Sequence, residues 1–135
     1  MKIIKLTTLA VVLASALSAG NVAKQSQLSS DMRDMLSAIQ EIQKSGFYQD
    51  YDGMSSGVEK LKAGLKSLTT TDAKSYLPDD QAYADKFAKK RATMIEMYAN
   101  DLSAAAKAKD MDEALEDYTQ LLKQCTSCHS RIRAW

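Results

Sequence analysis

Residues Asp110 to Arg133 read DMDEALEDYTQLLKQCTSCHSRIR, a stretch without proline or glycine. Met111, Leu115, Tyr118, Leu122, Cys125, His129 and Ile132 recur in alternating steps of four and three. Side chains at that spacing share one face of an α-helix. The stretch is therefore predicted to be an amphipathic helix that starts near Asp110 and continues to about Arg133. Both cysteines and the one histidine of the protein lie in its last turns, at Cys125-Thr126-Ser127-Cys128-His129.

Apolar residues at steps of three and four recur in three stretches upstream. A third helix is predicted from about Asp80 to Lys107, with Ala84, Phe87, Met94, Tyr98, Leu102 and Ala105 as its stripe and Arg91 interrupting it. Lys109-Asp110 turns the chain into the last helix. A second helix is predicted from Tyr51 to Leu68, with Tyr51, Met54, Val58, Leu61, Leu65 and Leu68 on one face. Gly57 and Gly64 lie one residue before Val58 and Leu65, where they would permit close packing at a cost in helix propensity. The first helix is predicted from about Ser26 to Ser45, with Leu28, Met32, Met35, Ile39 and Ile42 as its stripe and Ser45-Gly46 as its end. Thr69 to Pro78 reads as a loop. Four amphipathic helices with short connections bury their stripes together. The expectation is an all-α fold, an antiparallel up-down-up-down four-helix bundle.

Composition agrees. The chain has 135 residues, which suits one domain, and 45% of them are hydrophobic, enough for an ordinary core. One proline and five glycines are few breakers for this length, which favours long helices over short strands. The first 20 residues read as a cleaved secretory signal. Lys2 and Lys5 form a positive n-region, Leu6 to Leu17 is apolar, and small residues follow at Ala14-Ser15-Ala16 and Leu17-Ser18-Ala19. The apolar run falls short of the roughly 20 residues that span a bilayer, so no stable membrane insertion is expected. Residues 21–135 then form the helical domain. The full chain carries 18 Lys+Arg against 17 Asp+Glu, and losing Lys2 and Lys5 leaves 16 against 17. A near-neutral domain with interspersed charges has no field to draw nucleic acid or an anionic membrane.

Cys-x-x-Cys-His is the attachment pattern for covalent haem c. Two thiols at this spacing reach two vinyl groups on one haem edge, and the histidine that follows brings its imidazole to the iron. Three other readings are weighed against it. A structural disulfide is compatible with export but leaves His129 unexplained. A thioredoxin-like pair expects a preceding strand and a βαβ context. A structural zinc site wants four ligands, and the motif supplies at most three. Cys125, Cys128 and His129 are thus the candidate haem-binding residues, with His129 as the iron ligand. The protein has no second histidine, so methionine is the candidate for the sixth iron position. In an antiparallel bundle the start of the first helix lies beside the end of the fourth, which puts both Met32 and Met35 in contention.

The motif and the helix order resemble the cytochrome c prime family, four-helix bundles with Cys-x-x-Cys-His near the C-terminus, and also the soluble b-type four-helix cytochromes of the bacterial periplasm. The resemblance covers roughly the whole mature chain. The family often continues its motif as His-x-x-aromatic-Arg, and the chain reads His129-Ser130-Arg131-Ile132-Arg133. Arg133 matches, which implies a place near the haem, and Ile132 departs from the aromatic preference. The six-coordinate b-type relatives carry a methionine ligand early in the first helix within a pattern like Leu-x-x-x-Met-x-x-Leu. The chain has Leu28-Ser29-Ser30-Asp31-Met32-Arg33-Asp34-Met35 there, so the resemblance implies that Met32 is the ligand and Met35 is packing.

The expected function is that of a periplasmic electron carrier, not an enzyme, with one haem c and axial ligands His129 and Met32. Its partners would be redox proteins in transient contact, with a homodimer left open. The alternative is a five-coordinate haem that binds nitric oxide or carbon monoxide. A peroxidase-like enzyme would need a distal acid–base group, and no second histidine exists to serve.

Overall fold

Asp50 and Asp110 each stand just ahead of a helix, and each carboxylate accepts a backbone N–H three residues on, from Gly53 at 2.9 Å and from Glu113 at 3.1 Å. Such caps satisfy donors that the first helical turn leaves unpaired. The computed structural model describes residues 27–72, 75 and 83–132. Among these residues there are four α-helices and no strand: α1 (residues 27–47), α2 (Tyr51–Thr70), α3 (Ala84–Ala108) and α4 (Met111–Arg131). None of these helices is long and apolar enough to cross a membrane. The signal-peptide reading of residues 1–20, the helix start near Asp80 and the candidate Arg133 lie outside the described residues.

The turns follow from two residues with left-handed backbone. Lys109 has φ 58° and closes α3 through its N–H to the Ala105 and Ala106 carbonyls. Gln49 has φ 55° and makes the turn between α1 and α2. Gly46 was the predicted terminator of the first helix, but α1 runs through it to residue 47. The chain reverses where Gln49 takes the positive φ, not at the glycine.

One main core draws on all four helices, among them Met35, Ala38 and Ile42 of α1, Val58 and Leu61 of α2, Ala99 and Leu102 of α3, and Ala114 and Leu121 of α4. The protein is a helical bundle around that core. Along α2 the predicted stripe is the observed one, with only Tyr51 left half-buried. Gly57 and Gly64 are buried beside it and are the points where α1 comes close. A Cβ on Gly57 would fall 2.6 Å from Ile42 Cγ1 and 3.2 Å from the Ala38 carbonyl oxygen. A Cβ on Gly64 would run into Met35 Cγ, with Asp31 O at 3.4 Å. Lys60 and Glu41 bridge the same two helices at the surface, at 2.6 Å, a pair that adds little in water.

In α4 the buried face is rotated from the predicted one, and in α3 it departs in part, since Ala84, Leu102 and Ala105 of the predicted stripe are buried. The centre of α3 is alanine: Ala84, Ala88, Ala92, Ala99 and Ala106 are buried with Ile95 and Leu102, while Phe87, Met94 and Tyr98 are half-buried at its edge. In α4 the buried residues are Ala114, Asp117, Leu121 and Gln124. Leu115 is 61% exposed, and Tyr118, Leu122 and Cys125 are half-buried along the edge. Small side chains let helix axes approach, so alanine takes the central line and the larger apolar groups spread to its flanks.

Asp117 is 7% exposed, and its Oδ2 has no hydrogen-bond partner. Burial pushes its carboxyl above the ordinary value of 3.8, and Asp101, Glu113 and Glu116 push it the same way. A raised folded-state pKa means that the neutral acid suits the fold. The stability tied to it is fully present below pH 3.8 and is lost as pH rises through the raised value.

Two outcomes are expected. Asp117→Asn should be more stable than wild type by about 1 kcal/mol at pH 7, with the gap closing as pH falls towards 3.8; urea melts across that range measure it. Gly57→Ala should destabilise by about 1–2 kcal/mol, because crowding against Ile42 and the Ala38 carbonyl outweighs the gain in helix propensity. Thermal unfolding of Gly57→Ala beside wild type checks the sign.

Candidate functional site

The last two turns of α4 present Cys125, Cys128 and His129. Thr126 and Ser130 would compete with a helical backbone in the open, but here their hydroxyls donate to the Leu122 carbonyl at 3.1 Å and the Ser127 carbonyl at 3.0 Å. The helix closes at Ile132, whose N–H donates to the Cys128 carbonyl at 2.8 Å. Ile132 then buries itself with Ala84 and Ala88 of α3 in a second, smaller cluster. That anchor holds the end of α4 against the start of α3.

Cys125 and Cys128 are one turn apart and both are free, half-buried thiols. Cys125 packs against the main core and Cys128 against the smaller cluster, on which Phe87 also packs. Burial pushes the Cys125 thiol up to about 11, with Cys128 as a lesser cause. Burial also raises Cys128, while the nearby Arg91 guanidinium pulls the other way. A redox-active pair has at least one thiol lowered towards neutrality; here both are held protonated at neutral pH. Partial burial lowers His129 below its ordinary 6.5, which favours the neutral imidazole. The site therefore offers two neutral thiols and a neutral nitrogen donor. Among the described residues no group of three or more His, Cys, Asp and Glu is placed to hold a metal ion.

Met32 and Met35 differ in what they touch. Met35 is 6% exposed, and its side chain covers Gly64 of α2, with Sδ 3.2 Å from where a Cβ there would stand. Met32 is half-buried and packs on the main core, as does Cys125 from α4. Met54 is buried, Met94 and Met111 are half-buried, and Met97 is largely exposed. His129 is partly covered by its neighbours but remains open to solvent.

Around the motif stand residues to which the sequence reading assigned no role at the site. The Arg91 guanidinium lies 4.9 Å from the centre of the Phe87 ring, and that of Arg131 lies 5.0 Å from it. Arg91 Nη1 donates to the buried Gln124 Oε1 at 2.5 Å, yet its Nε is buried without a partner. The available signal was a charged residue breaking an apolar stripe one turn after an aromatic, the spacing at which i and i+4 side chains meet. No protein-family model matches the chain, and no curated protein or solved structure is significantly similar to it.

Proposed function

We propose that this protein is an exported, periplasmic c-type cytochrome that carries electrons through one covalently attached haem, in an antiparallel up-down-up-down four-helix bundle similar to the cytochrome c prime family. The observation that carries this reading is the placement of the only two cysteines, one turn apart on α4 and ending immediately before the only histidine. The antiparallel arrangement is supported by paired contacts whose numbers run in opposite senses. Gly57 faces Ala38 and Ile42 while Gly64 faces Asp31 and Met35, and Arg91 meets Gln124 while Phe87 meets Arg131.

The residues fit the group. Two protonated thiols, one neutral imidazole, flanking apolar surface and a buried guanidinium Nε without a partner are the donors and walls that a large apolar ring with anionic substituents needs. When bound, haem supplies the one-electron iron couple. Cys125 and Cys128 would tether it through two thioethers, and His129 would hold the iron from the α4 side. Met32 is the sixth-position candidate because Met35 is taken up with Gly64. Cys125, Cys128 and Tyr118 are each half-buried, so one side of a bound haem would lie against protein. Arg133 keeps the role near the haem that the family resemblance implies.

Haem should stay with the polypeptide through denaturation and acid–acetone extraction, and Cys125→Ala/Cys128→Ala should release it; extraction of haem from the wild type would sink the attachment. The oxidised wild type should also show the weak long-wavelength charge-transfer band of methionine sulfur on ferric haem. Met32→Ala should abolish that band, lower the reduction potential and open the iron to carbon monoxide. Met35→Ala should keep the band and cost about 2–5 kcal/mol of stability. A high-spin wild type that takes up carbon monoxide rapidly would select the five-coordinate gas-binding alternative.

A further inference from the structure

The charges of α3 and α4 are segregated along the two helices. Residues 84–92 of α3 contain four basic side chains and one acidic, and the acidic one, Asp85, is bridged by Lys89 at 2.9 Å. Residues 118–131 of α4 contain Lys123 and Arg131 and no acid. Residues 110–117, at the other end of α4, contain five acids and no base, and the adjoining end of α3 adds Asp101, Lys107 and Lys109, so that end stays acidic on balance. The contacts of Arg131 with Phe87 and of Arg91 with Gln124 place the two basic stretches side by side, at the end that bears Cys128 and His129. Lys86, Lys90, Lys123 and Arg131 are all exposed there. Among the described residues Lys86, Lys90 and Arg131 form no ion pair.

Arg131 lies 14 residues beyond Asp117 in α4, roughly 20 Å at the helical rise. The screening length at physiological salt is about 8 Å. A partner approaching one end therefore feels that end and not the near-zero net charge. Basic groups at a contact face raise the encounter rate with an acidic surface and fix its orientation.

We infer that the exposed basic face formed by the start of α3 and the end of α4 is the docking surface for an electron-transfer partner that presents a carboxylate-rich patch. The inference rests on the electron-carrier reading. It requires that the haem-bearing end and the charged end be the same end, which the shared position of Cys128, Phe87 and Arg131 supplies.

The test uses the reduced holoprotein and two small oxidants of opposite charge. Ferricyanide, an anion, takes one electron from the protein and becomes ferrocyanide; no atom or proton is transferred. Tris(phenanthroline)cobalt(III), a cation, does the same and becomes cobalt(II). Between about 10 and 150 mM salt the screening length shrinks from about 30 to 8 Å. Over that range the ferricyanide rate should fall by about threefold or more, and the cobalt rate should not fall. Poly-L-glutamate at low salt should slow the ferricyanide reaction. Lys86→Glu/Lys90→Glu should remove the fall and the polyglutamate effect. Lys107→Glu/Lys109→Glu makes the same net charge change at the far end and should leave both in place. A ferricyanide rate that is flat or rises with salt in the haem-loaded wild type overturns the docking surface alone, as does an equal change in the two double variants. A preparation without covalent haem gives no absorbance change and overturns the electron-carrier reading together with the docking surface.

Discussion

Backbone contact between α1 and α2 is the constraint from which the bundle is built. At Gly57 and Gly64 there is no room for even a β-carbon against Ile42 and Met35. The glycines weaken α2 as an isolated helix, and burial of Val58, Leu61 and Leu65 beside them offsets that. The alanine line of α3 extends the same logic to the other half, since Ala88, Ala92 and Ala99 allow close approach without leaving gaps. Larger groups are thereby moved to the flanks of α3 and α4, and Met35 is committed to covering a glycine. Met32 and Cys125 are left half-buried along the edge of the same core.

The second feature is a polar line through the bundle. Asp117 and Gln124 occupy buried positions of α4 that a purely apolar core would fill with leucine. Gln124 is used, because its amide oxygen holds the Arg91 guanidinium beside Phe87. Asp117 has an oxygen that nothing satisfies, and it lies near three other acids. Such groups cost stability. The Arg91–Gln124 pair has a visible return in position, since it sets a cation next to Cys128. Asp117 has no return that the surrounding residues explain.

Net charge conceals the electrostatics of this molecule. Nearly equal numbers of acids and bases suggest an unremarkable surface, and along the sequence the two signs alternate often enough to look mixed. Two helices that lie side by side bring the basic start of one against the basic end of the other, and the acids of α4 collect towards the opposite end, where Lys107 and Lys109 offset part of them. The same arrangement brings Arg131 of α4 to the Phe87 ring that Arg91, one turn away in α3, also faces.

Helices were legible in the sequence because apolar residues at steps of three and four leave no other regular structure. Asp50 and Asp110 sit where caps are needed, and α2 shows the predicted stripe almost residue for residue. The motif was legible too, since Cys125, Cys128 and His129 are neighbours in sequence and a helix preserves their spacing. The rotation of α4 and the partial departure of α3 were not, because periodicity weights large side chains, and alanine became the centre of the core only when another helix lay against it. Gly46 looked like a terminator, yet the turn formed at Gln49, where the next helix cap required the reversal. Spacing does not distinguish Met32 from Met35, because both lie on one stripe; across the bundle Met35 is buried against Gly64 and Met32 is half-buried. Local chemistry therefore came from the sequence by itself, while the partners of each side chain across the bundle came from tertiary structure, since those contacts depend on how closely the helix backbones can approach.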